Sequence, residues 1–321
     1  MNPGQYDSTL SNPTPASQIR EEQPFFSVII PTYSRPKELA VCLESLVSLS
    51  YPRERFEVIV VDDGSEVSLE SAIAPFQTQL HLSLITQQNS GPAKARNTGA
   101  FAAQGKFLAF TDDDCRPAAN WLQALENRLT TAPTSLLGGR TINALPDNLY
   151  ATASQSLIDY LYSYYNCHPE REHFFASNNM AVSAEQFRKL GGFNTSFPLA
   201  AGEDREFCSR WQHCGYPTLY APEAEVYHAH SLTLAKFWKQ QFNYGRGAFC
   251  FQKISKKQTG KTALQQPLFY LKLLVYPFSC QSQYPALLLV LLFALSQVAI
   301  AAGLIKEKSV AAKDHSAANK L

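Results

Sequence analysis

The sequence has no closely spaced pair of cysteines and almost no net charge. Its seven cysteines are an odd number and none is spaced as a CxxC pair, which argues against a zinc ribbon or disulfide framework and for reduced thiols in a cytosolic setting. Lysine and arginine total 28 against 27 aspartates and glutamates, so no global field draws the chain to nucleic acid or repels it from anionic membranes. We expect no nucleic-acid partner, and any phosphate site must be local.

The chain also lacks a GxGxxG motif after its first predicted strand, which disfavours a dinucleotide-dependent dehydrogenase. Residues 1–24 have neither a basic start nor an apolar run, so we predict a flexible tail without a signal peptide. Of the 321 residues, 45% are hydrophobic and 17% charged, which indicates a globular protein of one large or two ordinary domains with room for an apolar anchor.

The far end of the chain is strongly apolar. Residues 286–305 carry no charge and would span roughly 30 Å as a helix, the thickness of a bilayer's hydrocarbon core. We predict a transmembrane or deeply embedded helix; a buried core helix is the alternative, because Ser296 and Gln297 dilute the run. Residues 267–277 are too short to cross and include Lys272, which fits an interfacial or re-entrant segment. Lysines flank both segments, so the topology stays open unless the two form a hairpin.

Between these ends, strand patterns alternate with helical ones. The apolar runs 25–30, 56–61 and 80–86 predict strands, and Lys37 to Ser48 shows helical spacing of its leucines. This order gives right-handed crossovers and predicts an α/β fold, a mixed but mostly parallel sheet flanked by helices. Ligands of such sheets bind at the carboxyl ends of the strands.

Three adjacent aspartates, Asp112, Asp113 and Asp114, follow a further buried-strand pattern. Neighbouring like charges repel, and a divalent cation gives a reason to place them there. Mg²⁺ and Mn²⁺ are oxygen-seeking ions that are held by one or two carboxylates, with substrate phosphates completing the shell. The alternative is an acidic turn that caps the helix beginning near Asn120.

A second acidic pair, Asp62 and Asp63, follows the strand at 56–61 and could be a simple turn. At the end of a neighbouring parallel strand, however, a carboxylate can accept hydrogen bonds from a ribose or a base. Tyr33 offers a ring for base stacking, and Arg96 offers a forked cation to the nucleotide.

Four motifs in order carry a resemblance to a known family. They are Val28-Ile-Ile-Pro-Thr-Tyr33, Val60-Val-Asp-Asp-Gly-Ser65, Gly91-Pro-Ala-Lys-Ala-Arg-Asn97 and Phe110-Thr-Asp-Asp-Asp114. Together they resemble family 2 of the glycosyltransferases, which has the GT-A fold. Residues 201–205 and 241–247 are similar to that family's acceptor-side signatures, and the match covers residues 25–250.

The resemblance implies inverting transfer of a sugar from a nucleotide-diphosphate donor, expected to be UDP-linked, to a hydroxyl of a glycan or lipid-linked acceptor. Carried over by position, Asp63 binds the base or ribose, Asp112 the ribose, and Asp113 the Mg²⁺ or Mn²⁺ that bridges the diphosphate. Asp114 is a neighbouring or alternative metal ligand. Family members often have Asp-x-Asp, and Thr111 stands at the first Asp of one alignment, so a pairing of Asp112 with Asp114 stays open.

The resemblance also assigns the base. An acceptor hydroxyl is too weakly acidic to attack unaided, and Asp204 is the residue that would take its proton. Glu203 would bind the acceptor or support Asp204. A single base with direct displacement predicts inversion at the anomeric carbon. A charged first turn of a helix is the alternative interpretation of this segment.

Two short segments are expected to line the substrate pockets. Pro31, Thr32 and Tyr33 form the loop after the first strand and are expected to bind the donor. Asn178 and Asn179 are expected to line the acceptor or sugar pocket, although an asparagine pair is also common in turns.

His228 and His230 alternate as in a strand, so both could lie on one face. We expect one of them, preferably His230, to complete the metal shell or contact the diphosphate; a structural histidine is the alternative. Arg246 is expected to hold the pyrophosphate in a lid that excludes water, or else to be a solvated arginine near the membrane.

The sequence as a whole predicts a membrane-attached enzyme of polysaccharide biosynthesis in four parts. These are a tail at 1–24, a nucleotide-sugar-binding half at 25–115, an acceptor and catalytic half at 116–250, and an amphipathic and transmembrane anchor at 251–321. We expect the inner or plasma membrane, with the catalytic domain cytoplasmic and membrane lipid as a partner. A metal-dependent nucleotide-sugar hydrolase or nucleotidyltransferase and a non-catalytic sugar-nucleotide-binding protein stay open as alternatives.

Overall fold

A computed structural model describes residues 26–166, 174–197, 201–259 and 265–318. The predicted tail at 1–24 lies outside these ranges. Within them, helices flank both faces of one mixed sheet of eight strands. The α/β fold predicted from the sequence is therefore confirmed.

The first four strands form the parallel part of the sheet, in the order β3-β2-β1-β4. They are β1 (Phe26–Thr32), β2 (Phe56–Asp62), β3 (Leu82–Thr86) and β4 (Phe107–Thr111). The helices between them are α1 (Pro36–Val47), α2 (Glu70–Ile73) and α3 (Pro92–Ala102). Because β1, β2 and β4 are parallel neighbours, the loops that follow them meet at one edge of the sheet.

The second half of the chain extends the same sheet, and its order continues β4-β7-β6-β8-β5. These strands are β5 (Cys115–Pro117), β6 (Leu136–Asn143), β7 (Asn179–Ser183) and β8 (Thr218–His228). β7 runs antiparallel to β4 and joins the two halves. The predicted boundary between residues 115 and 116 falls inside β5.

Four helices belong to this second half: α4 (Trp121–Thr131), α5 (Leu149–Tyr165), α6 (Ala184–Lys189) and α7 (Glu203–His213). Gly202 precedes α7 with φ +93°, a left-handed conformation that glycine adopts without strain. The first turn of α7 contains Glu203, Asp204 and Glu206, where the positive end of the helix dipole favours negative charge.

Three helices end the described chain: α8 (Leu234–Thr259), α9 (Pro267–Val275) and α10 (Ala286–Ala318). α8 passes residue 250, the predicted end of the acceptor half, without interruption. Residues 286–312 of α10 are long and apolar enough to cross a membrane by length and composition. α9 and the 3₁₀ turn after it, Tyr276–Phe278, form a shorter apolar segment.

The core lies on both faces of the sheet. Val28 and Ile30 of β1 pack with α1 and with Trp121 of α4 in one cluster, whereas Ile29 packs on the other face with residues of α3 and α7. The side chains of Val28, Ile29 and Ile30 are all fully buried. Strands covered on both faces read as continuous apolar runs, which is why β1 was recognisable in the sequence.

Candidate active site

The three adjacent aspartates lie in the turn between β4 and β5, next to the end of β1 and the loop that follows it. Thr32 donates from Oγ1 to Oδ2 of Asp113 at 2.8 Å. Nη1 of Arg35 lies 3.1 Å from Oδ1 of Asp113 and 3.1 Å from Oδ2 of Asp114. Sequence reasoning missed Arg35, although its place two residues after Tyr33, in a loop at the same edge, could have indicated it.

The pKa values of Asp113 and Asp114 are shifted in opposite directions. Burial raises the pKa of Asp113 to about 7, because Arg35 and Thr32 only partly offset the lost hydration. Burial also opposes ionisation of Asp114, but the hydrogen bond from His228 and the charges of His228 and Arg35 hold its pKa well below the usual range. Asp114 is therefore negatively charged at neutral pH, as a cation ligand must be.

Asp114 and His228 form the candidate cation site. Nε2 of His228 lies 3.2 Å from Oδ1 of Asp114. The side-chain donor atoms of Asp114, Cys115 and His228 all lie within 4.8 Å of one another. Burial raises the pKa of the Cys115 thiol well above its usual value, which leaves Asp114 and His228 as the candidate ligands. Against burial, the hydrogen bond to Asp114 and the charge of Asp114 raise the pKa of His228, so a bound cation would have to displace the proton of this imidazole. This donor set fits Mn²⁺ or Mg²⁺ with phosphate oxygens completing the shell.

His230 lies beside His228 but has another partner. Their ring centroids are 5.2 Å apart, and Nδ1 of His230 is 3.3 Å from Nε2 of Gln240. Burial and the charge of His228 lower the pKa of His230 to about 4, so its ring is neutral at neutral pH. The sequence favours His230 as the ligand, whereas the structure places His228 against Asp114. The reason is the pairing of β5 with β8, which sets Cys115, the neighbour of Asp114, opposite His228.

Arg96 joins the strand edge to the start of α7. Its side chain is buried, with Nη2 at 2.6 Å from Oδ1 of Asp112 and Nη1 at 3.3 Å from Oε1 of Glu203. A planar guanidinium suits two carboxylates at once. The sequence assigned Arg96 to the nucleotide; in the structure its two terminal nitrogens hold carboxylates of the protein.

Glu203 and Asp204 are the acidic pair at the start of α7. Burial and the charge of Asp204 raise the pKa of Glu203 to about 7. Burial also raises the pKa of Asp204, against the hydrogen bond from the backbone of Arg205 and the charge of Arg96. Within the described chain, Oε2 of Glu203 and Nε of Arg96 have no hydrogen-bond partner. Unpaired buried polar atoms beside a carboxylate suit a bound hydroxyl or water.

Asp63 organises the loop between β3 and α3. Its Oδ1 accepts hydrogen bonds from Nε2 of Gln87 at 2.7 Å and from the backbone of Ser90 at 2.9 Å, and its Oδ2 accepts one from the backbone of Gly91 at 2.8 Å. A carboxylate has about four acceptor positions, so one is left for a ligand. The ring of Tyr33, in the loop after β1, is 45% exposed.

The two asparagines have different surroundings. Asn179 is fully buried: its Oδ1 accepts from Nε1 of Trp121 at 2.9 Å, and its Nδ2 donates to the carbonyls of Arg140 and Ala224. This side chain holds three elements together, so the expectation that it lines a pocket gives way to a role in the core. Asn178 is half-buried and accepts a 3.3 Å hydrogen bond from Thr141.

The expected lid residue is held by the C-terminal helix. Nε of Arg246 lies 2.6 Å from Oε2 of Glu307 on α10, and both side chains are at least three-quarters buried. Tyr244 of α8 interacts electrostatically with the acidic pair: burial and the charges of Asp204 and Glu203 raise its pKa. Tyr244 lies in the segment 241–247, which resembles an acceptor-side signature of the family.

The sequence matches two family models. Residues 27–191, more than half of the chain, match the model described as Glycosyl transferase family 2, and residues 111–305 match Glycosyl transferase family group 2. The chain belongs to glycosyl transferase family 2. Its membership and its enzyme class, both predicted from the ordered motifs, are confirmed.

Curated relatives of this family 2 enzyme are also glycosyltransferases. Glycosyltransferase AglE of Haloferax volcanii is 28% identical over 247 residues, which are 75% of this chain and 79% of that protein. The pre-mycofactocin glycosyltransferase of Mycobacterium tuberculosis is 28% identical over 251 residues, 75% of this chain and 50% of that protein. The chain therefore spans most of the first relative and half of the second.

Solved structures share the fold of the family 2 enzyme. The mannosyltransferase PcManGT from Pyrobaculum calidifontis, in complex with GDP-Man and Mn²⁺, matches with a TM-score of 0.59 and 21% identity over 93% of this chain and 81% of that chain. TarS 1–349 of S. aureus in complex with UDP-GlcNAc matches with a TM-score of 0.50 and 17% identity over 90% and 92%. At these identities the likeness concerns the GT-A fold alone.

Proposed function

We propose that the chain is a metal-assisted inverting glycosyltransferase that moves a hexose from a nucleotide-diphosphate donor to a hydroxyl of a glycan or lipid-linked acceptor. One observation carries the proposal: Arg96 bridges Asp112 of the strand edge and Glu203, the neighbour of the candidate base. This guanidinium connects the proposed donor side at the strand edge with the start of α7, which carries the proposed base. Direct displacement would use both, with the diphosphate leaving from one face of the sugar and the base acting at the other.

The donor side would be formed by the loops that follow β1, β2 and β4. Asp114 and His228 would hold Mg²⁺ or Mn²⁺, which when bound neutralises the negative charge that develops on the leaving diphosphate. Asp113 would orient this site through Thr32 and Arg35.

The nucleoside would lie near β2. Tyr33, the exposed ring in the loop after β1, would stack on the base, and Asp63 would accept a hydrogen bond from the base or ribose. The carrier nucleotide would be UDP, as in the TarS complex; the GDP sugar in PcManGT makes a guanine base the competing choice.

The acceptor side would use Asp204 as the base. The acceptor oxygen attacks the anomeric carbon opposite the diphosphate, its proton passes to Asp204, and the electron pair of the breaking C–O bond goes to the phosphate oxygen. Burial strengthens Asp204 as a base by raising its pKa. Glu203, with an unpaired Oε2, would hold an acceptor hydroxyl. Only one displacement occurs, so the configuration inverts.

The apolar α10 supports an acceptor close to a bilayer. A chain attached to the inner or plasma membrane with its catalytic part in the cytoplasm would meet lipid-linked or nascent surface glycans, as in polysaccharide biosynthesis. A truncated form that ends before α10 and keeps an unchanged acceptor range would contradict this part of the proposal.

The test is a panel of nucleotide sugars with Mn²⁺, read first as a thermal shift and then as turnover with and without a glycan acceptor. We expect one donor to stabilise the protein and to be consumed only when acceptor is present. Asp204→Asn should keep the donor shift and reduce transfer by about 10²- to 10⁴-fold. The exposed control Glu185→Gln should change neither.

Two results would contradict the proposal. Turnover that does not need acceptor would favour a nucleotide-sugar hydrolase or nucleotidyltransferase. Donor binding without turnover under any acceptor would favour a non-catalytic binding protein.

A further inference from the structure

α10 packs against the protein through one face, between Leu289 and Gly303. Its buried positions recur every three or four residues and form one face of the helix: Leu289, Leu292, Phe293, Ser296, Ala299 and Gly303. From Leu289 to Gly303 this face is about 21 Å long. Leu289 and Phe293 share one apolar cluster with Phe237 of α8 and Leu157 of α5.

The contact between α8 and α10 is close because both helices carry glycine there. A Cβ atom on Gly245 would overlap with the backbone carbonyl of Ile300, and one on Gly303 would overlap with that of Phe242. The pair of Arg246 and Glu307 adds a link further along α10. These contacts fix α10 to the side of α8.

The opposite side of α10 is exposed and wholly apolar. Its exposed positions also follow the helical period: Leu287, Leu291, Ala294, Val298, Ala301 and Ile305. This stripe is about 27 Å long. An apolar face of this size is rare on a protein surface that meets only water.

α9 adds a second exposed apolar face. Phe269 and Leu273 pack into the cluster that also contains Leu289 and Phe293 of α10. The outward residues of α9 and of the turn after it are Leu268, Tyr270, Leu271, Val275 and Phe278. We call these residues, together with the exposed stripe of α10, the α9–α10 surface.

The charges of α8 argue against a spanning α10. Lys236 and Lys239 are exposed near the start of α8, and Lys253, Lys256 and Lys257 are exposed near its end. If α10 crossed the bilayer while docked as observed, the start of α8 would lie beside its apolar run, because Phe237 packs with Leu289 and Phe293, and would carry Lys236 and Lys239 into the hydrocarbon region. Ionised side chains are strongly disfavoured there.

We propose that the α9–α10 surface rests on one leaflet of a bilayer, with α10 lying in the plane of the membrane rather than crossing it. The exposed stripe would enter the boundary between headgroups and acyl chains, as in-plane helices do. Lys272, Lys306 and Lys308 are exposed next to the apolar residues and would contact anionic headgroups. A lipid surface fits this combination better than a second protein copy, because the cations border an apolar face on two helices.

This inference extends the membrane attachment in the proposed function, and it predicts that α10 ends on the same side of the membrane as the catalytic part. The test uses Ser309→Cys, at an exposed position after the apolar stripe, and exposed Cys214 of the catalytic part serves as the internal reference. The full chain is labelled with a membrane-impermeant maleimide in right-side-out and inverted vesicles of the expressing cell. Cys214→Ser separates the two signals.

We expect Cys214 and the thiol introduced by Ser309→Cys to react in the same preparation. Labelling of the two in opposite preparations would show that α10 crosses the membrane and would overturn the proposal. This readout needs no transferase activity, so its failure is distinct from failure of the proposed function.

A second experiment tests the surface itself. The full chain is added to vesicles of phosphatidylcholine with phosphatidylglycerol, and bound protein is measured by flotation. A variant that combines Leu287→Gln, Leu291→Gln and Val298→Gln should bind at least about tenfold less, because burial of each side chain alone is worth about that factor. The control Val67→Gln replaces an equally exposed residue in the part predicted to bind the nucleotide sugar, away from α9 and α10, and should bind as the parent does.

Two outcomes of this experiment would overturn the proposal. One is that the triple variant binds vesicles as the parent does. The other is that neither protein binds vesicles and the triple substitution converts a dimer of the parent into a monomer in solution, which would make the α9–α10 surface a contact between copies of the chain.

Discussion

Nη1 of Arg96 lies 3.3 Å from Oε1 of Glu203, although 107 residues separate them in the chain. The same guanidinium is 2.6 Å from Asp112. One buried cation therefore faces carboxylates of both the strand edge and α7. Its charge lowers the pKa of Glu203 and of Asp204 against the effect of burial, so it sets the pH at which the candidate base is ionised.

Replacing this cation should move the acidic limb of the pH profile. The base acts in its ionised form, so kcat/KM falls as the pH drops through its pKa. Arg96→Gln removes a charge that lowers this pKa, so the limb should shift to higher pH. The measurement is kcat/KM against pH. The control Arg210→Gln removes an arginine that pairs with Glu206 on α7, and it should leave the acidic limb in place. If the limb did not move in Arg96→Gln either, Arg96 would not influence the pKa of the base.

The two histidines should differ in metal affinity. His228 touches Asp114, whereas His230 bonds Gln240. We expect His228→Gln to weaken Mn²⁺ binding by about 10- to 100-fold, whether His228 is a ligand or orients Asp114, and His230→Gln to weaken it less. Free Mn²⁺ measured by electron paramagnetic resonance reports the affinity directly. The reverse order would assign the cation to His230, as the sequence suggested.

The sequence predicted the parts of this site that depend on local pattern. Strands with both faces covered are apolar runs, so β1 and β2, and the acidic residues that follow them, could be placed at one edge of a parallel sheet. The partner of Asp114 could not be predicted, because it depends on the antiparallel register that sets Cys115 opposite His228. The role of Arg96 depends on Glu203, which only the tertiary fold brings near.

Asn179 should contribute to stability rather than to substrate affinity. Its amide satisfies the indole of Trp121 and two backbone carbonyls in the core. Asn179→Ala leaves these groups without partners, at about 1 to 3 kcal/mol for each group. Urea unfolding should show this loss, whereas Asn178→Ala at the half-buried neighbour should change the free energy of unfolding by about 0.5 kcal/mol or less. A raised donor KM with unchanged stability in Asn179→Ala would restore the pocket interpretation.

Gly303 should be required for the docking of α10. The helices approach so closely that any Cβ at this position overlaps with the carbonyl of Phe242. Gly303→Val must push α10 away from α8 and disturb Gly245 and the pair of Arg246 with Glu307. We expect a loss of about 1 to 3 kcal/mol, typical of an overpacked contact, seen as a lower melting temperature of the full chain. Ala301→Val places the same side chain on the exposed stripe of α10 and should leave the melting temperature unchanged. Equal effects of the two substitutions would mean that α10 does not pack on α8 through its glycine face.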